Sequence, residues 1–262
     1  MQGGAHIEKV DLGKSKLQVS PIAIGTGTNG WGNDSDQTRK GTDWLPELLK
    51  NACDLGLSFW DLADQYGSHP QASRALRRLD RAKIVINTKT TATSYDDCRG
   101  ALDRFFNELG TDYLDSVLLH GKTKANWNKT NRGAMDALSE AKAEGRIRAV
   151  GISSHGLGAL KTAAAEPWVD IIFARLNYDG VNMDGSPARV IPVLKKAKGN
   201  GKGIVVMKVL GCGKLASNPE KCIKFVLESG CIDAMTIGFL SAAEMQQSLE
   251  LYAALTKMPA PG

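Results

Sequence analysis

Four side chains stand where short β-branched runs give way to polar residues: Asp61, Tyr66, Lys89 and His120. Phe59-Trp60-Asp61-Leu62-Ala63-Asp64 leads into Gln65-Tyr66-Gly67, Ile86-Asn87-Thr88-Lys89-Thr90 closes a second run, and Val117-Leu118-Leu119-His120-Gly121 a third. Taken singly, each has a structural explanation. Asp61 or Asp64 would cap the next helix, Tyr66 would be a half-buried loop aromatic, Lys89 a strand-end charge and His120 a hydrogen-bonded core residue. Together they suit one chemistry. A carbonyl carbon that receives hydride leaves an alkoxide, which must be protonated at once. A free phenol, with a pKa of about 10, is a poor acid-base catalyst near neutrality. A lysine ammonium beside it favours the phenolate, and a carboxylate holds and balances the lysine. A neutral histidine hydrogen-bonds the carbonyl oxygen and orients it. A lysine closing an apolar strand needs a partner for its charge, and Asp61 supplies one.

Such groups need a frame that gathers successive strand ends. Two short alternating runs, residues 6–12 and 17–20 around Gly13-Lys14, predict an opening hairpin. Thereafter short β-branched segments alternate with longer segments of helical period. The pairs are 21–25 with 44–55, 57–64 with 71–79, 83–90 with 95–109, and 113–120 with 132–144. The second half continues with 148–153 and 157–165, 169–177 and 189–197, 203–210 and 219–227, and 231–238 and 242–255. Gly56, Gly110, Gly145 and Gly230 stand where helices should end. Eight strand-helix units predict an α/β fold, a (β/α)8 TIM barrel with a short N-terminal β-hairpin, as one domain over residues 1–262. A doubly wound sheet is disfavoured, because Gly25-Thr26-Gly27-Thr28-Asn29-Gly30-Trp31 does not lead directly into a helix as a dinucleotide fingerprint does.

Composition removes several other classes. A hydrophobic fraction of 42% supplies a substantial core, and 23% charged residues argue against disorder. No apolar run approaches the roughly 18 residues a membrane span needs. Met1-Gln2-Gly3-Gly4-Ala5-His6 has neither the charged start nor the apolar core of a signal peptide and reads as a tail. Five scattered cysteines with no C-x-x-C pair predict reduced thiols in a cytoplasmic protein, without a metal site. The net charge of +5 is spread over helices and loops rather than gathered into a stripe with stacking aromatics. Nucleic acid is therefore not the expected partner, whereas cofactor phosphates would share that positive field.

Asp61-x4-Tyr66-Gly67, Lys89 closing the third strand and His120 closing the fourth resemble the Asp-Tyr-Lys-His tetrad of the aldo-keto reductases. The resemblance covers nearly the whole chain. It includes the opening hairpin, Gly25-Thr26-Gly27, Ala149-Val150-Gly151-Ile152-Ser153-Ser154, Met207-Lys208-Val209-Leu210-Gly211, and the last unit from Thr236 through Gln247. It implies reduction of a small-molecule aldehyde or ketone by NADPH, with NADH possible, the cofactor lying extended across the barrel mouth and Tyr66 donating the proton.

The same resemblance places Thr26, Gly27, Gly238 and Ser241 in the cofactor site. Ser153 matches the serine that holds the nicotinamide carboxamide, Ser154 stands for an asparagine, and Arg175 falls where a glutamine binds the same amide. Met207 occupies the place of a stacking aromatic. Lys208, Leu210, Gly211 and Gly213 match the loop that wraps the pyrophosphate. At the adenosine end Glu244 replaces a basic residue that faces the 2′-phosphate, Gln247 replaces a glutamate and Ser248 an asparagine. A carboxylate there disfavours a 2′-phosphate but accepts from a free 2′-hydroxyl, which keeps NADH open.

Trp31 and Trp127, both in loops, are expected to line a substrate pocket, and Trp60 to be core. The ending at Pro259-Ala260-Pro261-Gly262, soon after the eighth helix, implies an open site without the long closing loop of many relatives. Two further readings stand beside the reductase: a cofactor-binding sensor or regulatory subunit with little turnover, and a phosphate-handling barrel such as an isomerase.

Overall fold

The computed structural model describes residues 7–257, so the expectations for the first six residues and for Pro259-Ala260-Pro261-Gly262 lie outside the described residues. The chain opens with β1 (Val10–Asp11) and β2 (Gln18–Val19), paired antiparallel with Val10 opposite Val19. Between them the Ser15 hydroxyl donates to the Leu12 carbonyl (2.6 Å) and closes the turn.

Eight parallel strands follow: β3 (Ile22–Gly25), β4 (Phe59–Asp61), β5 (Val85–Thr90), β6 (Leu114–Lys122), β7 (Ile147–Ser154), β8 (Ile171–Arg175), β9 (Gly203–Met207) and β10 (Ala234–Ile237). They pair in chain order, and β10 returns to β3, closing a barrel. Around it run α1 (Trp44–Asp54), α2 (His69–Leu76), α3 (Tyr95–Leu109), α4 (Trp127–Thr130), α5 (Arg132–Ala143), α6 (Leu157–Ala165), α7 (Pro187–Gly199), α8 (Pro219–Glu228) and α9 (Ala242–Thr256). The predicted (β/α)8 barrel with its hairpin is the observed architecture. The expected bounds of α3 and α6 match the observed ones. Other bounds differ, as in β4, expected over 57–64 and observed over Phe59–Asp61, and α4 is a single turn inside the stretch read as a polar loop.

Strand alternation divides the apolar residues into two cores. Side chains such as Trp60, Ile86, Leu119 and Ile172 face the helices, while Phe59, Val85, Leu118, Phe173 and Val205 fill the barrel interior. The hairpin belongs to the interior set. Leu12, Leu17 and Val19 are fully buried in that cluster and stop the N-terminal end of the barrel. Gly13, at φ +55°, presses so close that an added Cβ would lie 2.3 Å from the Gly203 nitrogen at the start of β9.

Helix α3 illustrates how local sequence secures the frame. The Ser94 hydroxyl caps it by accepting from the Asp97 N–H (3.2 Å), and Asp96 and Asp97 oppose the positive end of its dipole. Cys98, Leu102, Phe105 and Leu109 recur at helical spacing on its buried face, the leucines and the phenylalanine each worth roughly 1.5–3 kcal/mol if fully removed from water. Gly110, at φ +66°, ends it in the left-handed conformation where a side chain would be strained.

The same alternation that seats Phe59 and Phe173 inside the barrel carries the next inward positions to its C-terminal rim. Asp61, Lys89, His120, Ser153, Arg175, Met207 and Thr236 therefore converge there from seven strands. Among the described residues no helix is long and apolar enough to cross a membrane, and no cluster of His, Cys, Asp or Glu could hold a metal ion.

Candidate active site

Lys89 is buried at the end of β5 and pairs with Asp61 at the end of β4, and its ammonium also donates to the Leu62 carbonyl (2.8 Å). Asp61 is itself fixed from two further sides. Its Oδ1 accepts from Asn87 Nδ2 (2.9 Å) and its Oδ2 from the Thr236 hydroxyl (3.1 Å). Asn87 and Thr236 were not singled out in the sequence, although Asn87 shares the inward period of Lys89. The Lys89 ammonium lies 5.0 Å from the centre of the Tyr66 ring and 5.2 Å from that of Phe173. The Tyr66 hydroxyl is 3.5 Å from His120 Nε2, the two rings meeting edge to face at 5.5 Å. All four sequence candidates thus meet at one point of the rim.

Tyr66 comes from a short 3-10 turn, Asp64–Tyr66, between β4 and α2. Asp64 anchors that turn to α3 through two bonds from the Arg104 guanidinium (2.8 and 2.9 Å). The ring slides between two glycines. A Cβ on Gly27 would stand 2.3 Å from its atoms, and one on Gly30 would stand 2.7 Å away. This close approach explains the glycines of Gly25-Thr26-Gly27-Thr28-Asn29-Gly30.

Burial pushes the Tyr66 phenol above its ordinary pKa, and the Lys89 ammonium acts in the opposite direction. Burial therefore outweighs the lysine's pull on the phenol. Burial disfavours the Lys89 ammonium as well, yet Asp61 and Tyr66 outweigh it and hold the lysine above its usual value. Burial, reinforced by Lys89, His155 and Lys122, drives His120 well below the ordinary histidine value. At neutral pH the constellation is a protonated phenol, a charged lysine and a neutral imidazole.

From Tyr66 an open cleft of about 320 Å³ runs between β9 and β10 to the start of α9, within the range of small-molecule sites. Of the residues assigned to the cofactor by resemblance, Gly27, Met207, Lys208 and Leu210 line it, as do Gly213, Gly238, Glu244 and Gln247. The Lys208 ammonium reaches the Cys212 sulfur (3.2 Å) and makes no salt bridge among the described residues. Ser153 and Arg175 face the rim beside the cleft, Ser153 Oγ accepting from the Gly121 N–H (3.2 Å) and Arg175 bonding Asp184 (3.2 Å). Trp31 is 66% exposed, its ring 6.1 Å from that of His120.

Five other candidates do not line the cleft. Trp127 is only 2% exposed: its indole N–H donates to the Ala159 carbonyl (3.2 Å) and its ring packs near Trp168, so it is core. The Thr26 side chain is fully buried and bonded to the Asp61 carbonyl (3.0 Å) and to Ser68 (2.9 Å), away from the cleft. Ser154 is buried and turns its hydroxyl onto the Gly156 carbonyl (3.1 Å). Gly211 is buried under its loop and spends its N–H on the Lys208 carbonyl (2.9 Å). Ser241 caps α9, accepting from the Glu244 N–H (3.2 Å), while Glu244 accepts from the Leu240 N–H (2.8 Å). Each of these groups is engaged by backbone, Ser154, Gly211 and Ser241 locally and Thr26 and Trp127 from distant segments, a commitment that residue type does not reveal.

The comparison with known proteins adds to this geometry. The model of the Aldo/keto reductase family matches residues 21–255, nearly the whole chain, and the chain belongs to that family: it is an oxidoreductase of the carbonyl-reducing kind. A D-threo-aldose 1-dehydrogenase from a Pseudomonas species is 24% identical over 89% of both chains. The chloroplastic pyridoxal reductase of Arabidopsis thaliana is 30% identical over 57% of this chain and 45% of its own length. Among solved structures, a candidate aldo-keto reductase from Pseudomonas aeruginosa has a TM-score of 0.80 at 23% identity, covering 96% of this chain and 98% of that one. An aldo-keto reductase of Bombyx mori in complex with NADP has a TM-score of 0.71 at 17% identity, over 97% and 93% of the two chains. At such identities the structural likenesses bear on the fold.

Proposed function

We propose that this protein reduces an aldehyde or ketone to the alcohol with NAD(P)H as hydride source and Tyr66 as proton donor. The observation that carries the reading is the buried contact of Tyr66, Lys89, Asp61 and His120 at the mouth of the cleft.

A nicotinamide dinucleotide suits the residues present. Gly27, Gly213 and Gly238 leave the cleft walls without side chains, and Lys208 offers an ammonium whose partner here is a weak sulfur acceptor, ready for a diphosphate. Two features of the cleft support NADH as the cofactor in this reading. Lys208 is the lone lysine or arginine among its lining residues, and Glu244 sets a carboxylate at the α9 end, where a 2′-phosphate would be repelled. When bound, the dihydronicotinamide supplies hydride to the carbonyl carbon.

The chain does the rest. His120, neutral, donates a hydrogen bond that places the carbonyl oxygen beside the Tyr66 hydroxyl. As negative charge gathers on that oxygen, the Tyr66 proton passes to it. The phenolate left behind is stabilised by the Lys89 ammonium, which Asp61 holds within reach. Burial keeps Tyr66 protonated until that moment, and the electrostatic pull of Lys89 grows as phenolate charge develops.

The test is a titration with NADH and NADPH by tryptophan fluorescence, followed by an aldehyde and ketone panel read at the dinucleotide absorbance. Tyr66→Phe should lower kcat by about 10²–10⁴-fold with cofactor Kd unchanged. Full turnover in Tyr66→Phe would remove the tyrosine from the role. Dinucleotide binding without turnover of any carbonyl would favour the sensor instead.

A further inference from the structure

The cleft reaches Tyr66 past β9 and β10, and Trp31, His120, Lys122 and His155 are not among its lining residues. Trp31 and His155 instead flank His120, with ring centres 6.1 and 6.2 Å from its own. His120 Nε2 is 3.5 Å from the Tyr66 hydroxyl, so this flank is the side left for the body of a carbonyl substrate. A bulge brings Lys122 to it. β6 pairs with β7 at Leu119 opposite Ile152 and next at Lys122 opposite Ser154, three residues of advance on one strand against two on the other. The extra residue re-aims the strand end, giving Lys122 the place that Gly121 would otherwise hold.

His155 sits against that bulge. Its N–H donates to the Lys122 carbonyl (2.8 Å), and its Nδ1 would lie 3.8 Å from a Cβ placed on Gly121. The charge of this corner is unbalanced. The half-buried Lys122 ammonium has three donors, and its one bond among the described residues goes to a neutral amide oxygen, Asn131 Oδ1 (2.9 Å). It makes no salt bridge among those residues, whereas the nearby acids are taken: Asp61 by Lys89 and Asp184 by Arg175. A cation partly withdrawn from water without a counter-charge is costly unless something anionic completes it. Burial lowers the Lys122 ammonium accordingly, with no acid to offset it. The surrounding cations act on both imidazoles: Lys89 and Lys122 help to depress His120, and Arg175, Lys208 and Lys89 help to depress His155. The His155 side chain makes no hydrogen bond among the described residues and, being neutral, keeps one N–H to give.

We infer that Lys122, with the His155 imidazole beside it, receives a carboxylate carried by the substrate, so that the compounds reduced here are oxo acids whose acid group lies apart from the reacting carbonyl. This rests on the reductase reading above. A carboxylate supplies the single negative charge that the one uncompensated ammonium lacks, and it accepts from the lysine and the imidazole together. A phosphate ester would bring a second negative charge for which this corner holds no free partner. Lys122 thereby becomes a specificity-determining residue, two positions beyond His120 on the same strand.

The probes are 4-oxobutanoate and 4-carboxybenzaldehyde, each set against its primary amide, which has the same shape without the charge. The readout is the ratio of kcat/KM for acid over amide, measured on the full chain at saturating dinucleotide. The wild type should favour the acids by about tenfold, the worth of one charge-assisted hydrogen bond. Lys122→Met should bring the ratio to near one, and Lys122→Arg should keep most of it. Should Lys122→Met fail to fold, butanoate and butanamide serve as inhibitors of the wild type, where butanoate should bind about tenfold more tightly. A wild-type ratio near one, a ratio unchanged in Lys122→Met, or equal inhibition by the two compounds overturns the assignment and leaves the reductase reading intact. So does a preference for glyceraldehyde 3-phosphate over glyceraldehyde with none for the acids. Turnover of no carbonyl compound at all overturns both.

Discussion

Tyr66 sits where three influences compete, and their order decides what it can do. Burial holds the proton on, Lys89 lowers the cost of losing it, and Asp61 keeps Lys89 charged. A phenol in that state donates when a stronger base forms beside it, which the alkoxide of a reduced carbonyl is. At the far end of the cleft Glu244 is bound in a capping arrangement with Ser241 and Leu240, so its charge is fixed in place rather than free to swing aside. Glu244→Arg should therefore shift the NADPH-to-NADH affinity ratio toward NADPH by about 10–100-fold, the value of a charge-assisted phosphate bond. It should also cost roughly 0.5–1 kcal/mol of stability through the lost cap and a cation at a helix start. An unchanged ratio would place the adenosine end elsewhere.

The catalytic tyrosine depends on elements that never touch substrate. Arg104 on α3 grips Asp64 with two bonds and Glu108 with a third (3.0 Å); Glu108 reaches His69 (2.8 Å), which reaches Thr88 (2.8 Å), next to Lys89. An unbroken line of side chains thus ties the turn carrying Tyr66 to the strand carrying Lys89. Arg104→Gln should lower kcat on the order of 10-fold with cofactor Kd unchanged, short of the roughly 10²-fold that a full 1 Å misplacement costs. Arg104→Lys should not rescue, because an ammonium cannot reproduce the fork. Stability loss without any change in kcat would reduce Arg104 to a surface brace. At this scale much was legible. Period located α3 and α6, aided at α3 by Asp96, Asp97 and Gly110, and strand ends exposed the four rim residues. What escaped was settled by approach in space: Thr236 meets Asp61 from 175 positions away, and Trp127 hides in a helical turn inside a polar stretch. Ser154 and Ser241 have the right type for ligand contacts but are taken up by neighbouring backbone, and only the folded trace reveals that.

The molecule as a whole buries imidazoles near its mouth in the neutral form, and its acid response follows. Burial, then Arg175, Lys208 and Lys89, depress His155 to about 3, and His120 is shifted in the same direction. Above the unfolded value of about 6.5 neither state binds the proton, and the full stability is present. As pH falls below it, the unfolded chain takes up protons that the folded one refuses, and stability is lost until the folded value is reached. Asp184, raised to about 6, opposes this between about pH 6 and 4, because the folded carboxyl binds its proton first. In urea titrations at pH 7 and pH 5, His155→Asn should therefore lose about 1–2 kcal/mol less than the wild type. Equal losses would assign the acid sensitivity to other groups.

With its interior packed by side chains and its lower end stopped by the leucines of the opening hairpin, the barrel is approached only at the rim. Whatever is delivered to Tyr66 must depart along the path by which it arrived, and each departing molecule stands in the way of the next arrival.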